Sequence, residues 1–420
     1  MSIKKISTVS NRLQKLFEGS IYSLMLITAA VWVLFYFATG GVFLSARNVA
    51  TLILQSSILG CSAVGMMVVI LTGGIDLSIG SVVLLLSGIG AVLNIGYNVN
   101  PILVMLVMMV CAIAIAAIQG FIVSHWALPA FIVTMAGQLA FKGVGLILTG
   151  GHEYAPVEPL LKDISTTWLP PSISIAIISA TFLAFTISQI ISNKKECADN
   201  KPVGKLLLSF VPLVLLLAAL IYASSYNGLP ILGIVLAIFA LIIHIMLTYT
   251  RFGRQLYAVG ANPQAAKLSG VNPKLIVFKA FLVMGAGYFL ASVGTMSRIS
   301  GFVPSIGTGM ELDAIAAAVI GGTSLVGGYG SVAGAIVGAF LLTSIDNGMY
   351  LMNVPTFYQY VAKGIILVIA VLLDVSIRKR FVKIENGKVT NYFQFRNSPL
   401  SHHHALTASS CPLRCPCFPC

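Results

Sequence analysis

The chain has 420 residues, of which 58% are hydrophobic and only 9% are charged, and its mean hydropathy is +0.96. Soluble domains carry about 25% charged residues, so the composition excludes a soluble globular enzyme. The net charge of +13 does not indicate nucleic-acid binding, because the basic residues lie in short clusters between apolar runs.

About twelve apolar runs approach the ~20 residues needed to cross the hydrocarbon core of a bilayer. In chain order they cover residues 20–40, 49–72, 77–96, 101–124, 129–148, 173–192, 206–224, 229–249, 275–296, 310–327, 331–350 and 358–375. This pattern predicts an all-α polytopic membrane protein with about 10 to 12 transmembrane helices. We divide the chain into an N-terminal segment 1–19, a transmembrane domain 20–378 and a tail 379–420.

The distribution of charge predicts the topology. When the runs are threaded through a membrane, the basic clusters at the N-terminus and at 194–205, 251–274 and 378–383 share one side. The positive-inside rule makes that side cytoplasmic, with both termini on it. The first run lacks a small-residue cleavage site and is expected to stay as a helix. The tail is expected to be disordered, and the spacing of its cysteines at 411–420 matches no common zinc site.

Two glycine-rich segments interrupt the apolar pattern. They read LTGGIDLSIGSVV at 71–83 and IGGTSLVGGYGSVAGAIVGAF at 320–340. Their shared order of residues indicates a short internal repeat in one orientation, or a chance match. Glycine lets backbone leave a helix and lets helices approach closely. The residues predicted to line a pathway or act in gating are Gly73, Gly74, Asp76, Ser78, Gly80, Gly321, Gly322, Thr323, Asp346 and Asn347.

Asp76 has two interpretations. A charged residue at membrane depth is a functional candidate by default, and Asp76 could face a polar substrate. It could also cap a helix that starts near Leu77, and a structural role in capping or gating is the favoured interpretation.

Polar residues at the ends of later runs are candidates for the outer face: Glu311, Asp313 and Gln359. Acids near a helix start are also favoured by the helix dipole alone. Asp346 lies near a helix end, where the dipole is unfavourable, so a specific partner is expected for it. The loop 297–309 is expected either to receive a delivery protein or to be a solvated loop.

A polar island, RFGRQLYAVGANPQAAKLSGVN, separates two apolar runs at 251–272. Asn262 suits the N-cap of a short helix, Pro263 its first position and Gly270 its left-handed end. Ala265, Ala266 and Leu268 are expected to form a small apolar face. A capped helix outside the membrane is predicted to bind a partner. The residues assigned to this surface, within the loop 250–274, are Arg251, Gly253, Gly260, Asn262, Pro263, Ala265, Ala266, Lys267, Leu268 and Gly270.

The chain has no phosphate-binding loop, no HExxH, no GxSxG and no paired CxxC motif. We therefore predict no catalytic residue, no cofactor and no metal site, and any ATP would be hydrolysed by another chain. An ion-coupled secondary transporter would instead use Asp76 and Asp346 as ion sites. A membrane scaffold or receptor would be expected to carry a sizeable soluble domain.

Three segments resemble the permease subunits of bacterial ABC-type monosaccharide importers, the family of ribose, galactose and xylose permeases. They are GGIDLSIGS, RFGRQLYAVGANPQAAKLSGV and ELDAIAAAVIGGTSLVGGYGSVAGAIVGA. The resemblance covers about residues 20–378. It is strongest to the xylose branch, through YFATGGVFLSARNVATL, FIVTMAGQLAFKG and SIDNGMYLMNVPTFYQYVAKG.

The resemblance implies an ABC importer permease fold in the bacterial inner membrane. It implies a homodimer in lipid, an ATPase subunit bound to a coupling helix at 262–270, and an extracytoplasmic sugar-binding protein that delivers a monosaccharide. D-xylose is the first expectation, and ribose, galactose or several sugars stay open. No nucleic-acid partner is expected.

Overall fold

Helices account for nearly all the regular structure that a computed structural model describes, in residues 20–126, 128–176 and 227–366, with 179, 222 and 368. Within these residues there is no β-strand, only the isolated bridges Tyr154–Phe302 and Trp168–Pro230. The predicted runs at 173–192 and 206–224 lie almost entirely outside the described residues. So do the segments 1–19 and 379–420.

Residues 171–176 are helical, and the other α-helices with described bounds are numbered in chain order. They are α1 Ser20–Ala38, α2 Ala46–Leu71, α3 Ile79–Ala91, α4 Pro101–His125, α5 Ala130–Thr149, α6 Pro159–Thr166, α7 Ile231–Tyr249, α8 Arg251–Ala261, α9 Pro263–Leu268, α10 Pro273–Ile299, α11 Met310–Ile320 and α12 Val332–Leu351. A π-helical turn, Val92–Gly96, extends α3, and residues 356–366 form a last helical segment.

Seven of the described helices are long and apolar enough to cross a membrane: α2, α3 with its π-helical turn, α4, α5, α7, α10 and α12. They coincide with the predicted runs at 49–72, 77–96, 101–124, 129–148, 229–249, 275–296 and 331–350. The fold class, an all-α polytopic membrane protein with broken glycine-rich segments, is confirmed.

Helix α2 lies at the centre of the bundle. Ninety-four per cent of its most apolar stretch is buried, against 11% for α5, so α5 is peripheral. Helices α7, α10, α11 and α12 all pack against α2, and α10 also packs against α4. Gly65 and Gly287 bring α2 and α10 close, since a Cβ at Gly65 would lie 3.5 Å from the Cα of Gly287. Small residues at such contacts are typical of helices that associate in lipid.

The bundle has two ends. We call the end that carries helices α8 and α9 the loop face. Helix α10 starts there at Pro273 and runs 27 residues, about 40 Å, to the opposite end, the far face.

The run at 310–327 does not form a crossing helix. Helix α11 ends at Ile320 after 11 residues, or about 17 Å, which is too short for a hydrocarbon core of about 30 Å. The chain returns into the bundle before α11 begins, and Phe302 and Ile306 on this return are buried. The segment 297–309 is thus partly packed into the bundle, while Ser305 and Thr308 stay exposed.

The two faces can be tested by labelling single cysteines in a variant whose seven native cysteines are replaced. Lys267 on α9 and Glu153, in the loop after α5, are both exposed and lie at opposite faces. In right-side-out vesicles, an impermeant maleimide should label Glu153→Cys but label Lys267→Cys only after permeabilisation. Equal labelling of both from outside would contradict this arrangement.

Candidate functional site

Helix α9 has the ends that the sequence predicts. The Asn262 side-chain Oδ1 accepts hydrogen bonds from the backbone N–H groups of Gln264 and Ala265, both at 3.0 Å. Pro263 is the first helical residue, and Gly270 has φ 81° just beyond the end. The predicted cap, start and left-handed close of this short helix are confirmed.

The apolar face predicted for α9 is wrong in its composition. Ala266 is buried where α9 packs against α8 and α10, whereas Ala265 and Lys267 are exposed. Leu268 is 91% exposed and points away from the bundle. On the inner side of α9 only Ala266 packs against the bundle. On the outer side Leu268 is exposed to solvent next to Lys267. An exposed apolar side chain next to charge is suited to a protein partner.

Helix α8, within the polar island, was not predicted. It begins at Arg251, and the Thr250 hydroxyl accepts a hydrogen bond from the Gly253 N–H. The Tyr257 hydroxyl donates to the Gly330 carbonyl at 2.8 Å. Burial, with the nearby Tyr329, raises the pKa of Tyr257, so its hydroxyl stays protonated and keeps donating. Thr250 before the island was the available signal for this helix.

The loop face is joined to the central helix at what we call the Leu71 junction, formed by Leu71, Gly260 and Gly328. The Gly328 N–H donates to the Leu71 carbonyl at 2.9 Å. Gly260 of α8 packs so closely that a Cβ there would lie 1.8 Å from the same carbonyl oxygen. The two glycine-rich segments also meet here, since a Cβ at Gly73 would lie 3.3 Å from the Val326 carbonyl oxygen.

Three more of the glycines singled out in the sequence belong to the same two glycine-rich segments. Gly74 faces the start of α5, Gly321 packs against Gly334 of α12, and Gly322 has φ 88°. Thr323 is fully buried, and its hydroxyl has no hydrogen-bond partner within the described part of the chain.

Asp76 lies in a buried hydrogen-bond network, which we call the Asp76 network. Its Oδ1 accepts from the backbone N–H and hydroxyl of Ser78, at 2.8 and 2.7 Å, and its Oδ2 accepts from the Tyr288 hydroxyl. The Gln119 amide donates to the Ser78 hydroxyl at 2.9 Å. Asp76 is fully buried, and both of its carboxylate oxygens are hydrogen-bonded within the protein. Gln119 and Tyr288 were missed, although each is a polar residue inside an apolar run.

The segment before α3 is extended, and the helix starts at Ile79 rather than near Leu77. Thr134 of α5 forms hydrogen bonds with the backbone of this extended segment. The Thr134 hydroxyl accepts from the Leu77 N–H and donates to the Ile75 carbonyl, both at 3.1 Å. Non-helical backbone inside a membrane protein needs such internal partners.

Helices α3 and α11 begin beside each other. A Cβ at Gly80 would lie 2.4 Å from the Gly307 carbonyl oxygen and 2.3 Å from the Glu311 Oε2. Gln138 donates to the Glu311 Oε1 at 3.1 Å. Glu311 is half-buried, and its carboxylate lies between Gly80 and Gln138, where the chain returns to start α11. Its assignment to the outer face stays a prediction.

A lysine connects the two acids near the far face. Lys363 Nζ lies 2.9 Å from Asp313 Oδ2 on α11 and 2.9 Å from Asp346 Oδ2 on α12. The partner expected for Asp346 is thus Lys363, in the last helical segment. Sequence reasoning missed Lys363, because 50 and 17 residues separate it from the two acids.

A cavity of about 560 Å³ lies between α2, α10, α11 and α12. It contains the predicted residues Asp313, Asp346, Asn347 and Gln359, whereas Asp76, Gly73 and Thr323 do not line it. The lining residues are Gln55, Ile58, Leu59, Thr295, Arg298, Gly307, Thr308, Met310, Asp313, Thr343, Asp346, Asn347, Tyr350 and Gln359. The predicted site residues thus lie in four places: the loop face with the junction, the Asp76 network, the contact of Gly80 with Glu311, and the cavity.

Residues 48–371 match the family described as branched-chain amino acid transport system, permease component. The chain belongs to this family. It is 37% identical over 367 residues to the xylose transport system permease protein XylH of Escherichia coli K12, covering 86% of this chain and 93% of that protein. XylH of Haemophilus influenzae is 36% identical over 369 residues, with 86% and 97% covered.

The ribose import permease protein RbsC of Escherichia coli K12 is 32% identical over 332 residues, or 79% of this chain and 87% of that protein. No solved structure matches the chain. The resemblance to monosaccharide permeases, strongest to the xylose branch, is confirmed.

The Asp76 network predicts a large effect of Tyr288→Phe on stability. Removing the hydroxyl leaves a buried carboxylate oxygen without its donor, which should lower the free energy of unfolding by about 1–3 kcal/mol. Thermal denaturation of the purified protein would measure the change. Tyr350→Phe is the matched control, because Tyr350 is 74% exposed. Equal stability of the two variants would contradict the structural role of the network.

Proposed function

We propose that this chain is the membrane-spanning permease subunit of an ATP-driven importer, and that it moves a monosaccharide, D-xylose first, from a binding protein into the cytoplasm. The observation that carries the proposal is the similarity to XylH along 93% of that protein's length. XylH is named for xylose transport, and the ribose permease RbsC adds a second pentose.

The absence of an ATP-binding motif from this chain supports an importer in which transport and ATP hydrolysis are carried out by separate subunits. The chain carries no phosphate-binding loop, so ATP hydrolysis belongs to a partner ATPase. Helix α9 offers this partner Leu268 and Lys267 on its exposed side. The loop face is then cytoplasmic, in agreement with the basic residues at 251–274. The far face receives the sugar-binding protein, and two copies of the chain form the pathway.

The Leu71 junction provides a route for the ATPase to act on the core. A displacement of α9 is passed to α8, with which it packs. Gly260 of α8 lies against the Leu71 carbonyl at the end of the central helix, and Gly328 binds that same carbonyl. Movement at the loop face therefore reaches α2 and α12 through backbone contacts, without a flexible side chain between them.

The first test is uptake of radiolabelled D-xylose by vesicles that contain this chain, its ATPase subunit and its binding protein. We expect ATP-dependent uptake that unlabelled D-xylose competes, with ribose and galactose as weaker competitors. Leucine is included because the family description names branched-chain amino acids. Competition by leucine alone would change the substrate class, and uptake driven by an ion gradient without ATP would overturn the importer.

The junction gives a prediction for coupling. Gly260→Ala places a Cβ 1.8 Å from the Leu71 carbonyl oxygen, so α8 must move away from α2. We expect sugar uptake to fall at least about tenfold while the complex still hydrolyses ATP, since tenfold corresponds to 1.4 kcal/mol of lost coupling. Gly143→Ala is the matched control, because this helical glycine has no atom within 4 Å of an added Cβ. Uptake unaffected by Gly260→Ala would contradict the route.

A further inference from the structure

Two side-chain amides that line the cavity near the far face each have one polar atom that forms no hydrogen bond within the described residues. Asn347 is only 5% exposed, and its Oδ1 accepts a hydrogen bond from the Asn48 amide at 2.8 Å. The second N–H of Asn48 donates to the Phe43 carbonyl, also at 2.8 Å. Asn48 therefore fixes which way the Asn347 amide faces. The Asn347 Nδ2 group donates no hydrogen bond to any described residue, although Asn347 lines the cavity.

An acceptor is fixed in the same way. The Gln359 Nε2 donates to the Val354 carbonyl at 2.9 Å, so the amide is held by its nitrogen and its Oε1 is left unbonded within the described residues. Arg298, exposed and without an ion-pair partner there, adds further donors. The cavity thus presents donors and an acceptor whose orientation is set by bonds outside it.

The charges around the cavity cancel. Asp313 and Asp346 are both bound by Lys363, and Arg298 supplies the second cation. Two cations and two carboxylates leave no net charge for an ionic ligand to neutralise. A hydroxyl both donates and accepts, so an uncharged polyol suits fixed donors and acceptors of this kind. The volume of about 560 Å³ lies within the range of ligand sites.

We propose, resting on the proposed function, that this cavity is the permease's own binding site for the transported sugar. Asn347 Nδ2 and Gln359 Oε1 bind sugar hydroxyls, and Asn48 is a positioning residue that holds the Asn347 amide. The chain then contributes to sugar selection after the binding protein has released its cargo.

The test measures D-xylose binding by saturation-transfer difference NMR on the full chain with its ATPase subunit in lipid nanodiscs. Asn347→Asp keeps the oxygen that Asn48 binds and replaces the donor group by an acceptor, so binding should weaken at least about tenfold. Gln359→Met removes the Oε1 acceptor together with the Nε2 bond to Val354, and Asn48→Ala removes the donor that orients the Asn347 amide. Each change costs the sugar about one hydrogen bond and should weaken binding roughly 3- to 10-fold.

Asn94→Asp is the matched control. Asn94 is 2% exposed, lies outside the cavity, and also accepts a hydrogen bond through Oδ1. Its Nδ2 donates to the Val99 carbonyl, so Asn94→Asp also controls for the loss of stability that a buried Asn→Asp change causes. It should bind D-xylose like the wild type. A positioning role for Asn48 further requires that Asn48→Ala bring the ratio of D-xylose to D-ribose binding closer to one, which a loss of stability would not do.

The outcomes separate the two proposals. Wild-type-like binding by both Asn347→Asp and Gln359→Met would overturn the cavity site. So would the absence of any D-xylose signal from a wild-type complex that transports D-xylose in the uptake assay. A wild-type complex that transports no sugar would overturn the proposed function itself.

Discussion

The structure depends on one constraint: backbone that leaves a helix inside the bundle must find its hydrogen-bond partners within the protein, because lipid offers none. The extended segment before α3 finds them in the side chains of Thr134 and Asp76. The segment between α11 and α12 finds one in the Leu71 carbonyl. The broken segments are therefore each bonded to a neighbouring element, and those bonds determine which elements can move together.

The Asp76 network and the Leu71 junction are built from different kinds of atoms. The Asp76 network is made of side chains from the segment before α3, from α4 and from α10, and it is sealed from solvent. The Leu71 junction is made of backbone atoms that touch because glycines leave room. The side-chain network holds three elements of the core together, whereas the junction is a direct backbone contact between α8 and the end of α2. The route proposed for movement from the loop face therefore depends on the junction and not on the network.

The sequence was sufficient for the long helices and for α9, because hydropathy over about 20 residues and the residues Asn262, Pro263 and Gly270 are local signals. It was not sufficient for α11, whose apolar run continues past the true end at Ile320. Hydropathy shows that a segment is suited to a lipid or protein interior, but it does not show at which residue a helix ends. The contacts of Asp346 with Lys363 and of Asn48 with Asn347 join distant positions, which no local pattern can pair.

Helices α3 and α11 start side by side and run in opposite directions, with the Glu311 carboxylate between their first turns. Each helix start carries about half a positive charge from its aligned peptide groups, so the two together offset one carboxylate. A carboxylate in this position is favoured by both helix starts at once, while burial disfavours its charge. Glu311 therefore joins the first turns of two helices that are far apart in the sequence, and the Gln138 side chain adds a hydrogen bond from a third helix.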